Sequence, residues 1–418
     1  MAVVCAALCI DTCATAQSLN NESVTSQRVV LKPERDYLAA VGVAGSPLTR
    51  GIRVDIVLQN GNRLDEQQVT DIQPGRNKNT FRTFGVKSSK GKRQKVRANT
   101  VARIIIDGNP FDVLLDSESR DSVLLDNVRR DGIVARRLRA TGNRLWEGAG
   151  DDQQTKAVDE YKKDYFARVE TMFSDRQFLL HETKFFLFAT DMPNEQAGDF
   201  IANLDRMYVE LCRLFGITSE TNIWRGKCMV VAFIDKESFL RFETEVMKNP
   251  QNQTAQGLCH SFPDGKVVIA CYRGSNPAFF GNLLVHETTH GFLHLYRSNV
   301  RIPSWLNEGL AEWVANLVVP ESKTVPNRQR QAIPRIQASN TMGGMFDIKG
   351  NIEPWQYGLA SGVAQFLIDT NPQAYGGLFT LIKEGASWQE AVQELYGITP
   401  AELAASYGRT VGIPELTP

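Results

Sequence analysis

The stretch Leu283-Leu284-Val285-His286-Glu287-Thr288-Thr289-His290-Gly291-Phe292-Leu293 constrains this chain more than any other. It holds H-E-x-x-H inside an apolar run, and a helix puts residues four apart on one face. Both imidazoles of such a helix reach one tetrahedral divalent ion, with Glu287 near enough to take a proton from a water at that ion. The chain has only 5 histidines in 418 residues, so a chance pairing at this spacing is rare. An amphipathic helix with two unrelated histidines is the alternative.

A hydrolytic metal site needs a third protein ligand. His294 lies near the same face, but three imidazoles strung along two turns span about 12 Å, too far for bonds of about 2 Å to one ion. A histidine six residues past His290 is excluded, because Tyr296 occupies that position. The better candidate lies in Pro303-Ser304-Trp305-Leu306-Asn307-Glu308-Gly309-Leu310-Ala311-Glu312-Trp313. Here Glu308 is expected to begin a second helix after a Pro-marked loop, turning its carboxylate back toward the first to complete a His₂Glu set. Glu312, one turn on, is placed to accept the free ring N–H of a ligating histidine, His286 before His290, and to fix its tautomer. For Glu312 the other reading is an ordinary helix carboxylate.

H-E-x-x-H followed by W-L-N-E-G-L-A-E resembles the gluzincin superfamily of zinc metallopeptidases, which includes thermolysin-like and aminopeptidase-N-like enzymes. The separation from His290 to Glu308 is slightly shorter than in the aminopeptidases, whose G-x-M-E-N signature is absent before His286. Recognition of a free amino terminus is therefore not implied. In layout the chain is similar to a bacterial family of gluzincin-like peptidases of unknown function, over about residues 155 to 415. The resemblance implies an α+β fold for residues 155–418, with a small sheet, two zinc helices and a helical C-terminal part. It further implies Zn²⁺ held by His286, His290 and Glu308, a peptide or protein substrate, and Glu287 as general base. A downstream tyrosine is implied as donor to the oxyanion; Tyr357 is the choice, with Tyr296 and His260 as weaker alternatives. Aromatic packing in the helical part is the other reading of Tyr357. Motif and fold do not fix a substrate, so two further functions stay open: a non-catalytic envelope binding protein with a structural zinc, and a zinc hydrolase acting on a non-peptide amide.

Upstream, Val54–Leu58, Val101–Ile106 and Phe111–Leu115 alternate and are punctuated by Asn60-Gly61 and Asp107-Gly108. This pattern predicts a small antiparallel β domain over residues 28–147, built from strands alone. Beyond a linker at Gly148–Asp152, helices are expected near Val158–Phe173 and Asp199–Phe215, and strands at Phe185–Ala189 and Cys228–Phe233. Leu258 to Tyr272 reads as a hairpin whose second arm, Val267–Tyr272, is expected to be an edge strand to which an extended peptide can add. From about Gln356 onward the chain reads as helical, broken at Gly376-Gly377 and Pro400.

Lys+Arg and Asp+Glu balance at 47 each, so no net field draws the whole chain to nucleic acid, and none is expected as a partner. Residues 76–103 are rich in Lys and Arg with no acidic residue among them. Contact with an envelope component or acidic polymer is one reading of this segment, and a solvated hairpin the other. No apolar run reaches the ~18 to 20 residues that span a bilayer. Ala2–Ile10 is apolar and Ala14-Thr15-Ala16 has the small-x-small pattern, so residues 1–16 read as a signal peptide, lacking a basic start, and the mature chain as extracytoplasmic. Cys212, Cys228, Cys259 and Cys271 would remain. They can pair in an oxidising compartment, Cys259 with Cys271 across the Asp264-Gly265 turn, or stay as buried thiols.

Overall fold

Period-two alternation builds the first half of the chain. A computed structural model describes residues 47–418 apart from 59–61, 77–79, 116–120, 141, 144, 147 and 251–253, together with the short strands β1 (Val3–Val4) and β2 (Leu38–Ala39). The rest of the expected leader and the Asn60-Gly61 turn lie outside the described residues. Strands β3 (Arg53–Leu58), β4 (Arg63–Pro74), β5 (Phe81–Lys87), β6 (Arg93–Arg97), β7 (Val101–Ile106), β8 (Asn109–Leu115) and β9 (Ser122–Asp126) pair antiparallel in the order β2-β9-β8-β7-β3-β4-β5-β6. An added pairing of Phe81 with Ser122 joins β5 to β9, so the sheet curls back on itself and fewer edges stay open. Val54, Ile56, Val69, Phe84, Val86, Val96 and Ile104 alternate inward to one core. Asp107 and Gly108 both take positive φ, 49° and 78°, the two-residue turn that suits a hairpin's twist.

The basic segment is largely strand: β5 and β6 form a hairpin within it. Arg82 pairs with Asp121 at 2.8 Å and Arg103 with Asp112 at 2.7 Å, while Arg50, Lys87, Arg93 and Lys95 line a groove of about 760 Å³. The expectation of strands alone is corrected by helix α1 (Asn127–Ala140), which carries basic residues in its last turn, where they suit the helix dipole.

The chain divides into two compact units, one holding residues 145–375 and 399–418, the other the β sheet, α1 and residues 376–398. The first unit opens with α2 (Asp151–Tyr161), α3 (Ala167–Met172), β10 (Leu179–Glu182), β11 (Phe186–Thr190), α4 (Asn194–Phe215), β12 (Cys228–Phe233) and α5 (Lys236–Glu245). It continues through β13 (Gly257–Ser261), β14 (Val267–Tyr272), α6 (Pro277–Leu295), α7 (Ser304–Val318), α8 (Thr324–Ser339) and α9 (Gln356–Thr370). Next in the chain come most of α10 (Pro372–Lys383) and all of α11 (Trp388–Tyr396), which belong to the second unit, and α12 (Pro400–Thr410), which belongs to the first. The whole is α+β, with a helical C-terminal part. Among the described residues, no helix is long and apolar enough to cross a membrane.

The mixed sheet runs β1-β13-β14-β12-β11-β10, with β12 parallel to both its neighbours. Every residue of β12 is buried, as expected for a strand covered on both faces. Met229, Val231 and Phe233 pack with Phe239 and Phe242 of α5, and the opposite face is covered by α4 and α6. Strand β14 lies inside, between β12 and β13, which corrects its expected place at an edge. Strand β13 is the outer one, with only β1 paired beyond it. Gly376 and Gly377 do not break the chain; they lie within α10. Pro400 does mark a start, as the first residue of α12 behind a Thr399–Glu402 capping box.

No disulfide joins Cys212, Cys228, Cys259 and Cys271, all buried thiols. The β13–β14 hairpin forms, but its register sets Ile269 opposite Cys259 and Gly257 opposite Cys271, so the two sulfurs are not partners across it. Burial raises the Cys228 and Cys271 thiols well above their usual range, and that of Cys212 to about 11. Alkylation at about pH 9 with peptide mapping should therefore leave these four unlabelled until denaturant is added. A crosslinked Cys259–Cys271 peptide would contradict this.

Lys383 is 2% exposed, and burial lowers its ammonium to about 7 from 10.5. Between those values the unfolded chain keeps a proton that the folded one has released, so stability must rise with pH there. Urea unfolding should show wild type gaining up to about 1.4 kcal/mol per pH unit over Lys383→Met between about pH 7.5 and 9.5. A difference that stays flat with pH would contradict it.

Candidate metal centre

Helix α6 starts where Asn276 accepts a hydrogen bond from the Phe279 N–H at 3.0 Å and Pro277 supplies the first turn. From Phe280 to Leu293 every residue is buried, so this helix has no solvated face. The Thr288 and Thr289 hydroxyls donate back to the Leu284 and Val285 carbonyls at 2.7 and 2.8 Å, which lets polar side chains sit in the interior. Helix α7 begins at Ser304, with the N–H groups of Leu306 and Asn307 donating to the Pro303 carbonyl. Glu308 is thus one turn inside this helix, a correction to its expected place at the start. A Cβ on the next residue, Gly309, would stand 2.7 Å from the Ala360 carbonyl oxygen, so only glycine allows α7 to lie this close to α9.

Two helices bring the three expected ligands together. His286 Nε2 is 3.1 Å from His290 Nε2 and 3.2 Å from Glu308 Oε2, and His290 Nε2 is 3.4 Å from the same oxygen. Ligand atoms about 2.0 to 2.1 Å from a tetrahedral ion lie about 3.3 to 3.4 Å from one another. The triangle fits that requirement closely. The two rings stand at 89°, so their nitrogens converge without stacking. All three residues are buried, and together they make a group able to hold a metal ion.

The outer contacts fix the rings. His286 Nδ1 lies 3.1 Å from Glu312 Oε1, leaving Nε2 turned toward the triangle. That oxygen also accepts from Arg328 Nη1. For Glu312, burial alone would raise the carboxyl, but Arg328 and His286 outweigh it and hold it below the usual range. Glu308 is likewise raised by burial and held low overall by His290 and His286. Glu287 differs: burial dominates and raises it, with Glu308 adding to the rise and both histidines opposing. Its Oε1 is buried with no hydrogen-bond partner.

Tyr357 is the second residue of α9, and its ring centroid lies 6.4 Å from that of His286. Of the weaker alternatives, Tyr296 packs on Phe215 and Phe292, and His260 Nε2 pairs with Glu243 Oε1 of α5 at 2.9 Å. His294 is not among the residues whose donors converge. The residue that the sequence concealed is Arg328. It carries no motif and reaches Glu312 only through the packing of α8, so no local pattern could have found it.

No protein-family model matches the chain, and no curated protein matches it. A solved structure of a functionally unknown conserved protein from Bacillus anthracis str. Ames aligns over 86% of this chain and 73% of its own, at 11% identity and a TM-score of 0.28. At that similarity it decides neither fold nor function.

Equilibrium dialysis against zinc, followed by metal analysis, should find about one ion per chain. Glu308→Ala should weaken binding by about 100-fold or more, since even outer partners of a ligand contribute 10- to 100-fold. Unchanged affinity in that variant would remove Glu308 from the site.

Proposed function

We propose that this chain is a zinc-dependent metallopeptidase. The observation that carries the proposal is the buried His286–His290–Glu308 triangle, whose edges of 3.1 to 3.4 Å suit a tetrahedral ion. A structural zinc takes four protein ligands, whereas the group among the described residues offers three, which favours a hydrolytic site over a structural one. Zinc, when bound, would supply the Lewis acid that polarises a scissile carbonyl and makes a water more acidic.

The remaining chemistry belongs to the side chains. Glu287 takes the proton from the attacking water and passes it to the leaving amine. Glu312 accepts from His286 Nδ1–H, keeping Nε2 available to the ion. Tyr357 donates its hydroxyl to the developing oxyanion, a role supported by its ring lying beside His286. An extended peptide would take the place beside β13 that β1, part of the expected leader, holds in the full chain, through backbone hydrogen bonds with little side-chain selectivity. Export to an extracytoplasmic compartment belongs to the same proposal. So does contact between the basic segment and an anionic envelope polymer, which the groove lined by Arg50, Lys87, Arg93 and Lys95 supports.

Digestion of an unbiased peptide library, read by mass spectrometry, tests the activity. Glu287→Gln should retain zinc while cleavage falls by about 10² to 10⁴-fold, the usual contribution of a general base. Cleavage at the wild-type rate by this variant would overturn the mechanism. A library left intact by zinc-loaded wild type would favour the non-peptide amide or the binding protein.

A further inference from the structure

Arg328 lies in the second turn of α8, well beyond both metal motifs in sequence. Its guanidinium nevertheless touches two groups of the metal centre. Nη1 donates to Glu312 Oε1, the oxygen that lies 3.1 Å from His286 Nδ1. The same guanidinium sits over the Tyr357 ring, with Cζ 5.5 Å from its centroid. Tyr357 in turn faces His286 with the two rings inclined at 31°. This convergence depends on one glycine: a Cβ on Gly358 would stand 2.1 Å from the Arg328 carbonyl oxygen, so only glycine lets α8 press its backbone against the first turn of α9. The Glu312 side chain is 1% exposed and that of Arg328 27%, so the carboxylate is buried and its cation reaches in from the rim.

We propose that Arg328 is a positioning residue that locks Glu312 and Tyr357 together around His286, a role that rests on the metallopeptidase reading above. Two separable actions follow from its shape. As a charge, it pairs with Glu312 Oε1 and orients that carboxylate toward His286 Nδ1, which fixes the ring toward the metal. As a broad planar cation, its guanidinium sits over the Tyr357 ring, with Cζ 5.5 Å from the centroid, and holds the phenol in place. A lysine supplies the first action but not the second, because an ammonium is a point charge without a planar face.

The test compares wild type, Arg328→Met, Arg328→Lys, Tyr357→Phe and the Arg328→Lys/Tyr357→Phe double variant. Zinc affinity is measured by competition with a chromogenic chelator, and kcat and KM on a peptide cut by wild type. Arg328→Met should lose about 10- to 100-fold in zinc affinity, the usual effect of removing a partner behind a ligand. Arg328→Lys should bind zinc within about 3-fold of wild type yet lose about 10-fold or more in kcat at unchanged KM, and adding Tyr357→Phe should lower kcat little further. Arg328→Met with wild-type zinc affinity and kcat would overturn the proposal, as would full additivity of Arg328→Lys with Tyr357→Phe. If Arg328→Met fails to fold, seen as loss of its melting transition without metal, the lysine variant still decides. Wild type that binds zinc but cuts no peptide would defeat the peptidase reading instead, and the zinc measurements would still judge Arg328 through Glu312.

Discussion

A carboxylate buried opposite two imidazoles is the interaction on which the candidate metal centre depends. Taking an ionised group out of water costs several kcal/mol or more unless paired charge and hydrogen bonds offset it. Glu308 is 2% exposed and stays ionised only because His290 and His286 face it. The same problem recurs one turn along α7, where buried Glu312 is offset by Arg328 and His286. Contacts therefore run outward from the centre in a chain, from Glu308 to His286 to Glu312 to Arg328. A cation at the point where the three donor atoms converge would offset the buried charge of Glu308 with both imidazoles neutral.

The scaffold places this charge pattern without building it from loops. Each ligand sits inside a helix, α6 or α7, and α6 lies on the face of the sheet opposite α5. Residues on helices are held more rigidly than residues on loops, which suits donor atoms that must stay within a few tenths of an ångström of one another. Thiols are the obvious competitors for a metal in this neighbourhood. Cys271 lies near enough to Glu287 to feel its charge, and burial together with that carboxylate keeps the thiol protonated. A protonated thiol is a poor ligand, so Cys271 is no effective rival to the His₂Glu set.

Features written in local pattern were legible in the sequence, and features set by packing were not. The two histidines follow from helical spacing, and β12 could be read to the residue because a strand covered on both faces is a continuous apolar run. Strand β4 escaped because its long polar sequence buries only Val69 and Gln67 fully, which leaves little alternation to see. Glu308 does stand with His286 and His290 in a group that could hold a metal, yet the helix around it starts at Ser304, since Pro303 can open a helix directly behind it. Strand order is a global property: β13 lies outside β14 although it precedes it in the chain, and nothing in either segment says so. Cys259 and Cys271 were rightly placed on one hairpin, but a disulfide needs a register that flanking turn residues alone did not determine. Arg328 could not have been found at all, because its contacts form only where Gly358 lets two helices meet.

X-ray absorption spectroscopy of the zinc-loaded chain tests the central claim most directly, because it reads the atoms around the ion without reference to activity. The proposed centre requires two imidazole nitrogens at about 2.0 to 2.1 Å, one carboxylate oxygen at about 2.0 to 2.2 Å, and a further light-atom ligand from solvent. Sulfur in the coordination shell at about 2.3 Å, or a shell with a single imidazole, would contradict it.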